Sequence, residues 1–242
     1  MMTNNPAMRL QNILSDFQEA SSTASLSEVC CDTFKIANND KGQILYSYAG
    51  LFVLIKECRE KILLLNISEP EIFLETISYI EEVFSTISLK TPMLSLDKIL
   101  NKSTITSLKF ISQFIERDCN NYNVDEDKLD GLRQEVEDLI KEILSMDLPK
   151  EIKDIFIYNL EKIRSAIINY RIWGYDKIKD CIDVGIGQIV RNKDNFEINE
   201  TNQNVQESSK KFIALLGRVD SLITLGSSIK KIVGPIIGVF IK

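Results

Sequence analysis

Residues 46–65 read YSYAGLFVLIKECREKILLL, a run in which apolar side chains occupy most of the circumference of a helix. Five charged residues between positions 56 and 61 interrupt the run. A membrane-spanning helix needs about 20 predominantly apolar residues in succession, and this run is interrupted too early. The pattern therefore predicts a central buried helix from about residue 44 to 65.

Helical periodicity continues on both sides of this run, and strand signals are scarce. Further helices are predicted over about residues 8–20, 25–37, 68–88, 125–146, 150–172 and 175–190, with additional starts near Ser95 and Thr104. Ser68 and Glu71 have the spacing of a capping box, with Pro70 in the first turn. The sequence predicts an all-α fold, a multi-helix bundle of about eight or nine helices with a long C-terminal amphipathic helix.

Composition suggests a division of the chain into three parts. Residues 1–191 are expected to form one helical bundle domain. Residues 192–209, NKDNFEINETNQNVQESS, contain five asparagines and few apolar residues, which is typical of a flexible polar loop. Residues 210–242 are predicted to form an amphipathic helix with an apolar tip, packed on the bundle.

The chain of 242 residues contains no histidine, which excludes Ser-His-Asp and Cys-His nucleophile pairs, histidine-ligated zinc and imidazole acid–base catalysis. The formal net charge of −6 gives no general attraction to nucleic acid, so nucleic acid is not expected as a partner. The five cysteines show no CxxC spacing, and the first residues lack a secretory signal pattern. We therefore expect no enzyme activity, a cytoplasmic location and packed, unmodified cysteines.

Two short patterns partly match known ligand-binding motifs, but neither match is complete. Asp130, Gly131 and Glu137 can be aligned with an EF-hand loop, but Lys128 then occupies a position that needs an oxygen ligand. The pair Gly185 and Gly187 lacks the third glycine and the preceding strand of a dinucleotide fingerprint. No metal and no cofactor are expected.

Four residues around the end of the helix predicted over 150–172 form the first candidate interaction site. These residues are Arg164, Tyr170, Arg171 and Trp173. An arginine beside an apolar stripe must reach solvent or find an anionic or carbonyl partner, because an unpaired buried charge is expensive. The cluster can therefore recognise an anion or the carboxylate of a partner; alternatively, Arg164 ties two helices together.

The surrounding stretch, residues 147–183, is DLPKEIKDIFIYNLEKIRSAIINYRIWGYDKIKDCID. Leu-Pro opens a helix, and an Arg-x-Ala-Ile-x-x-Tyr core is followed by a glycine. This arrangement resembles a pattern in a family of uncharacterised bacterial all-helical proteins. The resemblance implies a helical fold and a bacterial origin, and it implies no activity or site.

The C-terminal residues form the second candidate interaction site, because apolar residues recur there every seven positions in two rows three residues apart. The rows are Phe212, Val219, Gly226, Val233 and Phe240, and Leu215, Leu222, Ile229 and Ile236. Residues 232–241 carry neither a charge nor a side-chain hydrogen-bonding group. Core packing, association with a partner or a second copy, and membrane contact are all compatible with this pattern.

The sequence favours a non-enzymatic helical protein–protein interaction or regulatory accessory protein of bacterial or phage origin, acting through a protein partner or self-association. The alternative is a membrane-perturbing effector or toxin, defence-related in one version, that releases the tail and inserts residues 232–241. In that version the cytoplasmic protein becomes membrane-associated on activation.

Overall fold

The computed structural model describes residues 2–37, 39–96, 100–118, 123–199 and 201–224. Within these ranges the expected all-α, multi-helix architecture is confirmed. The helices are α1 (Pro6–Glu19), α2 (Leu26–Phe34), α3 (Lys41–Leu64), α4 (Glu71–Thr86), α5 (Lys102–Asp118), α6 (Glu126–Ser145), α7 (Lys150–Ile168), α8 (Tyr170–Arg191), α9 (Lys193–Ile198) and α10 (Gln203–Thr224). A 3-10 turn spans Met93–Leu96, and two-residue strands lie at Met2–Thr3 (β1) and Asn123–Val124 (β2).

The chain forms two compact units rather than one bundle domain that ends at residue 191. The N-terminal unit contains residues 2–121 together with residues 171–174, and the C-terminal unit contains the described parts of 122–170 and 175–224. The domain boundary proposed from composition therefore differs from the observed division. Residues 171–174, late in the chain, belong to the N-terminal unit. The amino-acid composition gives no reason to expect this assignment.

Helix starts in the N-terminal unit are fixed by short polar side chains. The Asn5 side chain accepts hydrogen bonds from the first amides of α1, and Asp40 caps α3. At α2, Ser25 and Glu28 form a reciprocal capping box, and the hydrogen bonds from Ser25 to the Glu28 carboxylate hold the pKa of Glu28 below its ordinary value. The capping box expected at Ser68 is wrong, because α4 begins after Pro70 without a side-chain cap.

The core of the N-terminal unit lies where α1 packs against α2, α3 and α5, and α4 adds a further side against α3 and α5. Leu10, Ile13 and Phe17 of α1 are buried there, together with Leu54 of α3 and Ile111 of α5. The buried residues of α1 recur at helical spacing, so one face of this helix lies in the core.

The C-terminal unit is organised by α6 packed on α7, with α10 on α6 and α9 on α7. Phe156 of α7 contacts Phe196 and Phe212, with ring centroids 5.7 Å and 5.3 Å apart. The polar loop expected over 192–209 is therefore wrong: this segment contains α9 and the start of α10. Burial of Phe196 against Phe156 orders a stretch whose composition is otherwise polar.

The boundary between α7 and α8 also differs from the predicted helix over 150–172. Helix α7 ends at Ile168, and the backbone of Asn169 leaves the helical region before α8 begins. Inside α8, Gly174 has φ 62° and ψ −161°, a conformation that side-chain-bearing residues rarely adopt. The break at Gly174 coincides with the last residue of the segment 171–174, which belongs to the N-terminal unit.

Candidate interaction surface

Helix α3 presents an exposed, largely apolar face, which we call the α3 stripe. Its members are Leu45, Tyr46, Ala49, Val53, Lys56, Glu60, Leu63 and Leu64, and all are exposed. At 100° per residue they fall within about 100° of the helix circumference, so they form one continuous strip. Leu45, Val53 and Leu63 are 57%, 44% and 60% exposed. The sequence-based prediction of a central buried helix therefore holds for the opposite face of α3 and not for the stripe.

The rest of α3 is held firmly in the core of the N-terminal unit. Leu51, Leu54, Cys58 and Ile62 on the opposite face are completely buried. On one flank of the stripe, the Tyr48 hydroxyl donates to the carbonyl of Phe84, and Arg59 forms an ion pair with Glu81 of α4. The stripe is thus part of a supported helix, and its exposure is a property of the folded unit.

The other flank of the stripe is formed by residues 171–174, Arg-Ile-Trp-Gly, which we call the RIWG segment. Ile172 is completely buried in the core of the N-terminal unit. A Cβ on Gly50 of α3 would lie 2.9 Å from Cγ2 of Ile172, so the close approach of the two elements depends on that glycine.

A buried arginine holds the RIWG segment in place. Arg9 of α1 donates to the carbonyl oxygen of Ile172, and its other terminal nitrogen lies 2.8 Å from both carboxylate oxygens of Glu57. The Arg9 side chain is 2% exposed and that of Glu57 is 29% exposed. Because its two terminal nitrogens are paired with Ile172 and Glu57, burial of the arginine is tolerated, although its Nε has no hydrogen-bond acceptor among the described residues. Sequence reasoning missed Arg9, which lies beside an ordinary amphipathic stripe.

Two predicted site residues, Arg171 and Trp173, lie in the RIWG segment. Arg171 forms an ion pair of 2.6 Å with Asp16 and donates to the carbonyl of Thr33 at 2.9 Å. The Trp173 ring lies 6.0 Å from the ring of Tyr46, a member of the α3 stripe. The Trp173 indole nitrogen is buried and has no hydrogen-bond acceptor among the described residues. Arg171 therefore has a structural ion pair, whereas Trp173 borders the stripe.

The other two members of that predicted cluster have different surroundings. Arg164 pairs with Glu161, one turn earlier on its own helix, with 2.7 Å between nitrogen and oxygen, and both side chains are substantially exposed. Tyr170 is buried. Each arginine of the predicted cluster thus has its own carboxylate, and the pair of Arg164 lies within α7 rather than between two helices.

The first part of the predicted C-terminal seam packs inside the C-terminal unit. Phe212, Leu215 and Val219 of α10 are completely buried. Leu222 is in α10, but its side chain lies outside the described part of the structure. Ile229, Val233, Ile236 and Phe240, with the apolar run 232–241, lie outside the described residues altogether. For its first two turns the seam is a packing face.

Charged side chains line the groove where α10 meets α6. Lys211 pairs with Glu142 of α6 and with Glu207 on its own helix, and Arg218 lies 2.8 Å from Glu135. Hydrogen bonds to Glu142 and Glu207 raise the pKa of Lys211. Two of these partly exposed pairs link α10 to α6, and each carboxylate that touches a cation here is already neutralised.

The described cysteines are buried rather than poised for chemistry. Both Cys30 and Cys31 face the interior of the N-terminal unit, although adjacent helical residues point about 100° apart. Burial raises the pKa of Cys30 to about 12, and it raises the pKa values of Cys31, Cys58 and Cys181. A thiol that is both buried and protonated is a poor nucleophile.

Two further properties of the described residues bear on other functions. Those residues contain no group of three or more cysteine, aspartate or glutamate side chains able to hold a metal ion. Among the described helices, none is long and apolar enough to cross a membrane. The α3 stripe is an exposed feature of the described surface that packing within its own unit leaves unexplained.

Comparison with family models, with curated proteins and with solved structures finds no match for the chain.

Proposed function

We propose that the protein is a non-enzymatic helical interaction protein, with a regulatory or accessory role in a bacterial or phage system, and that the α3 stripe is its binding surface. The observation that carries the proposal is the exposure of Leu45, Val53 and Leu63 on one face of a helix whose opposite face is fully packed. Single exposed apolar residues are ordinary, but a continuous exposed strip is typical of a binding site.

The composition of the strip supports the same proposal. Its aliphatic and aromatic side chains supply the apolar centre that protein interfaces use, and Lys56 and Glu60 add charges that can select a partner. Because α3 is held on both flanks, binding needs little ordering of the backbone, which reduces its entropic cost. The absence of histidine, together with the burial of the cysteines that the structure describes, supports binding rather than catalysis.

Site-specific photo-crosslinking in the native cells tests this function. A photo-reactive amino acid at Ala49 places the crosslinker in the α3 stripe, and the same amino acid at Ile198, which is 79% exposed on α9, provides the control. We expect discrete crosslinked protein species from position 49 that are missing from position 198. Identical patterns from both positions would contradict the assignment of the surface, and turnover of a small substrate by the purified chain would contradict a non-enzymatic role.

A second candidate function rests on the sequence of the tail. The uncharged residues 232–241 follow Lys230 and Lys231, a combination suited to a membrane surface with anionic lipid. A chain truncated after Thr224 tests this candidate, because it keeps the buried Phe212, Leu215 and Val219. Membrane activity predicts that truncation abolishes leakage of anionic vesicles; equal leakage from both chains would exclude it.

A further inference from the structure

We propose that the partner of the α3 stripe is a second copy of this chain, bound with the two α3 helices antiparallel. This inference rests on the proposed function and names its partner. It is carried by the order of the stripe residues between 53 and 63, which is self-complementary when one copy is reversed.

Four members of the stripe are placed symmetrically about Cys58, whose own side chain points into the core; Leu45, Tyr46 and Ala49 lie outside this symmetric part. Lys56 and Glu60 lie two residues before and after this position, and Val53 and Leu63 lie five residues before and after it. A two-fold axis beside residue 58 therefore brings Lys56 of each copy to Glu60 of the other, and Val53 of each copy to Leu63 of the other. An isologous contact of this kind is closed, so it gives a dimer and not a filament.

The charges of the stripe suit this arrangement. Lys56 and Glu60 lie 3.8 Å apart on the same helix, with side chains 71% and 60% exposed, so their pairing within one chain is weak. In the antiparallel dimer the two lysines and two glutamates form a single four-membered network of alternating sign. Each charge that leaves water thereby gains a second partner, which offsets its desolvation.

Two charged residues next to Lys56 and Glu60 on α3 already have partners, so the charges of Lys56 and Glu60 determine which partner the stripe binds. Arg59 is paired with Glu81 on one flank, and Glu57 is paired with Arg9 on the other. Glu60 would repel a strongly acidic partner, and Lys56 would repel a strongly basic one, so either partner would bind more weakly. A reversed copy of the same helix satisfies both charges at once.

Sedimentation velocity over a range of concentrations measures the association of the full chain. One helix face per copy is smaller than a standard interface, so we expect a dissociation constant on the order of 10 µM. Val53→Glu should raise this constant at least about 100-fold, because it places a carboxylate in the apolar contact with Leu63. Leu144→Glu, at an exposed leucine of α6, is the matched control and should leave association unchanged.

Charge reversal tests the antiparallel register. Lys56→Glu and Glu60→Lys should each abolish association alone, because each opposes like charges across the axis. Their equimolar mixture should associate, and the double variant Lys56→Glu/Glu60→Lys should recover the wild-type constant. Lys193→Glu reverses a comparable exposed pair with Glu197 on α9 and should change nothing. Circular dichroism spectra that match wild type show that each variant is folded.

Two results would overturn the inference. The first is a full chain that stays monomeric throughout, and the second is a dimer that survives Val53→Glu or both single charge reversals. A monomeric chain whose position 49 still crosslinks to another protein would overturn self-association and leave the proposed function standing. A chain that neither associates nor crosslinks would overturn both.

Discussion

Replacing Gly174 by alanine tests how the RIWG segment completes the N-terminal unit. At φ 62° and ψ −161° an alanine costs on the order of 1 to 3 kcal/mol in backbone strain. Its Cβ would also lie 2.7 Å from Oδ1 of Asn4 and 2.8 Å from Cζ of Arg9. Arg9 cannot move without weakening its hydrogen bonds to Ile172 and Glu57, which adds about 1.5 to 3 kcal/mol. We expect a total destabilisation of about 3 to 5 kcal/mol.

Urea unfolding followed by tryptophan fluorescence measures this effect directly. Trp173 is the only tryptophan of the chain and neighbours Gly174. With a typical urea dependence, the expected loss lowers the midpoint of the fluorescence transition by on the order of 2 M. Gly187→Ala is the control: a Cβ there meets no atom within 4 Å, and alanine stabilises a helix by up to about 1 kcal/mol relative to glycine. An unchanged midpoint for Gly174→Ala would refute the reasoning.

Three further predictions follow from packing and ionisation. Phe212→Ala should destabilise the C-terminal unit by about 3 to 5 kcal/mol in chemical unfolding followed by circular dichroism, and a loss below about 1 kcal/mol would contradict its core position. Because the folded-state pKa of Glu28 is lowered, its contribution is present above pH 4.5, the ordinary value, and is lost as pH falls through the folded-state value. Glu28→Gln should therefore weaken the acid dependence of thermal unfolding, and an unaltered acid dependence would count against the capping box. Iodoacetamide at pH 8 should alkylate Cys30 and Cys58 in urea but not in the native protein, as read by peptide mass spectrometry; comparable native labelling would contradict their burial.

Periodicity predicted the helices of this protein well because their apolar faces are encoded at a spacing of three and four residues. In α6, Leu129, Val136 and Ile143 recur at helical spacing, and all three are buried. Two helix boundaries were predicted less well: the C-terminal end of α7 and the start of α4. Both boundaries depend on the course of the chain outside the helix, after α7 and before α4, and residue spacing within the helix does not specify that course.

Burial was harder to predict than helix formation. Helix α3 is apolar on most of its circumference, so no face is marked in the sequence as exposed. The fold exposes Leu45, Val53 and Leu63 because α1, α2, α4 and the RIWG segment occupy the other sides. The reverse holds for residues 192–209, where a single aromatic residue, Phe196, finds a packing site that the polar composition conceals.

For the candidate sites too, residue spacing predicted local packing but not the contacts between residues far apart in the chain. The seven-residue recurrence from Phe212 indicated a packing seam, and its first members do pack within the C-terminal unit. Arg171 and Trp173 were singled out as neighbours in sequence, but their partners Asp16 and Tyr46 lie more than a hundred residues earlier. Arg9 could not be selected at all, since its carbonyl and carboxylate partners come together only on folding.

The sequence by itself determined the all-α class, the faces of the amphipathic helices and the absence of histidine chemistry, because these follow from residue type and from spacing within one helix. Tertiary structure alone decided the two units, the insertion of residues 171–174 and the exposure of the α3 stripe. Local interactions fix a helix and its periodicity. Which apolar faces are covered depends on contacts between residues far apart in the chain, and the same apolar pattern is compatible with burial and with exposure.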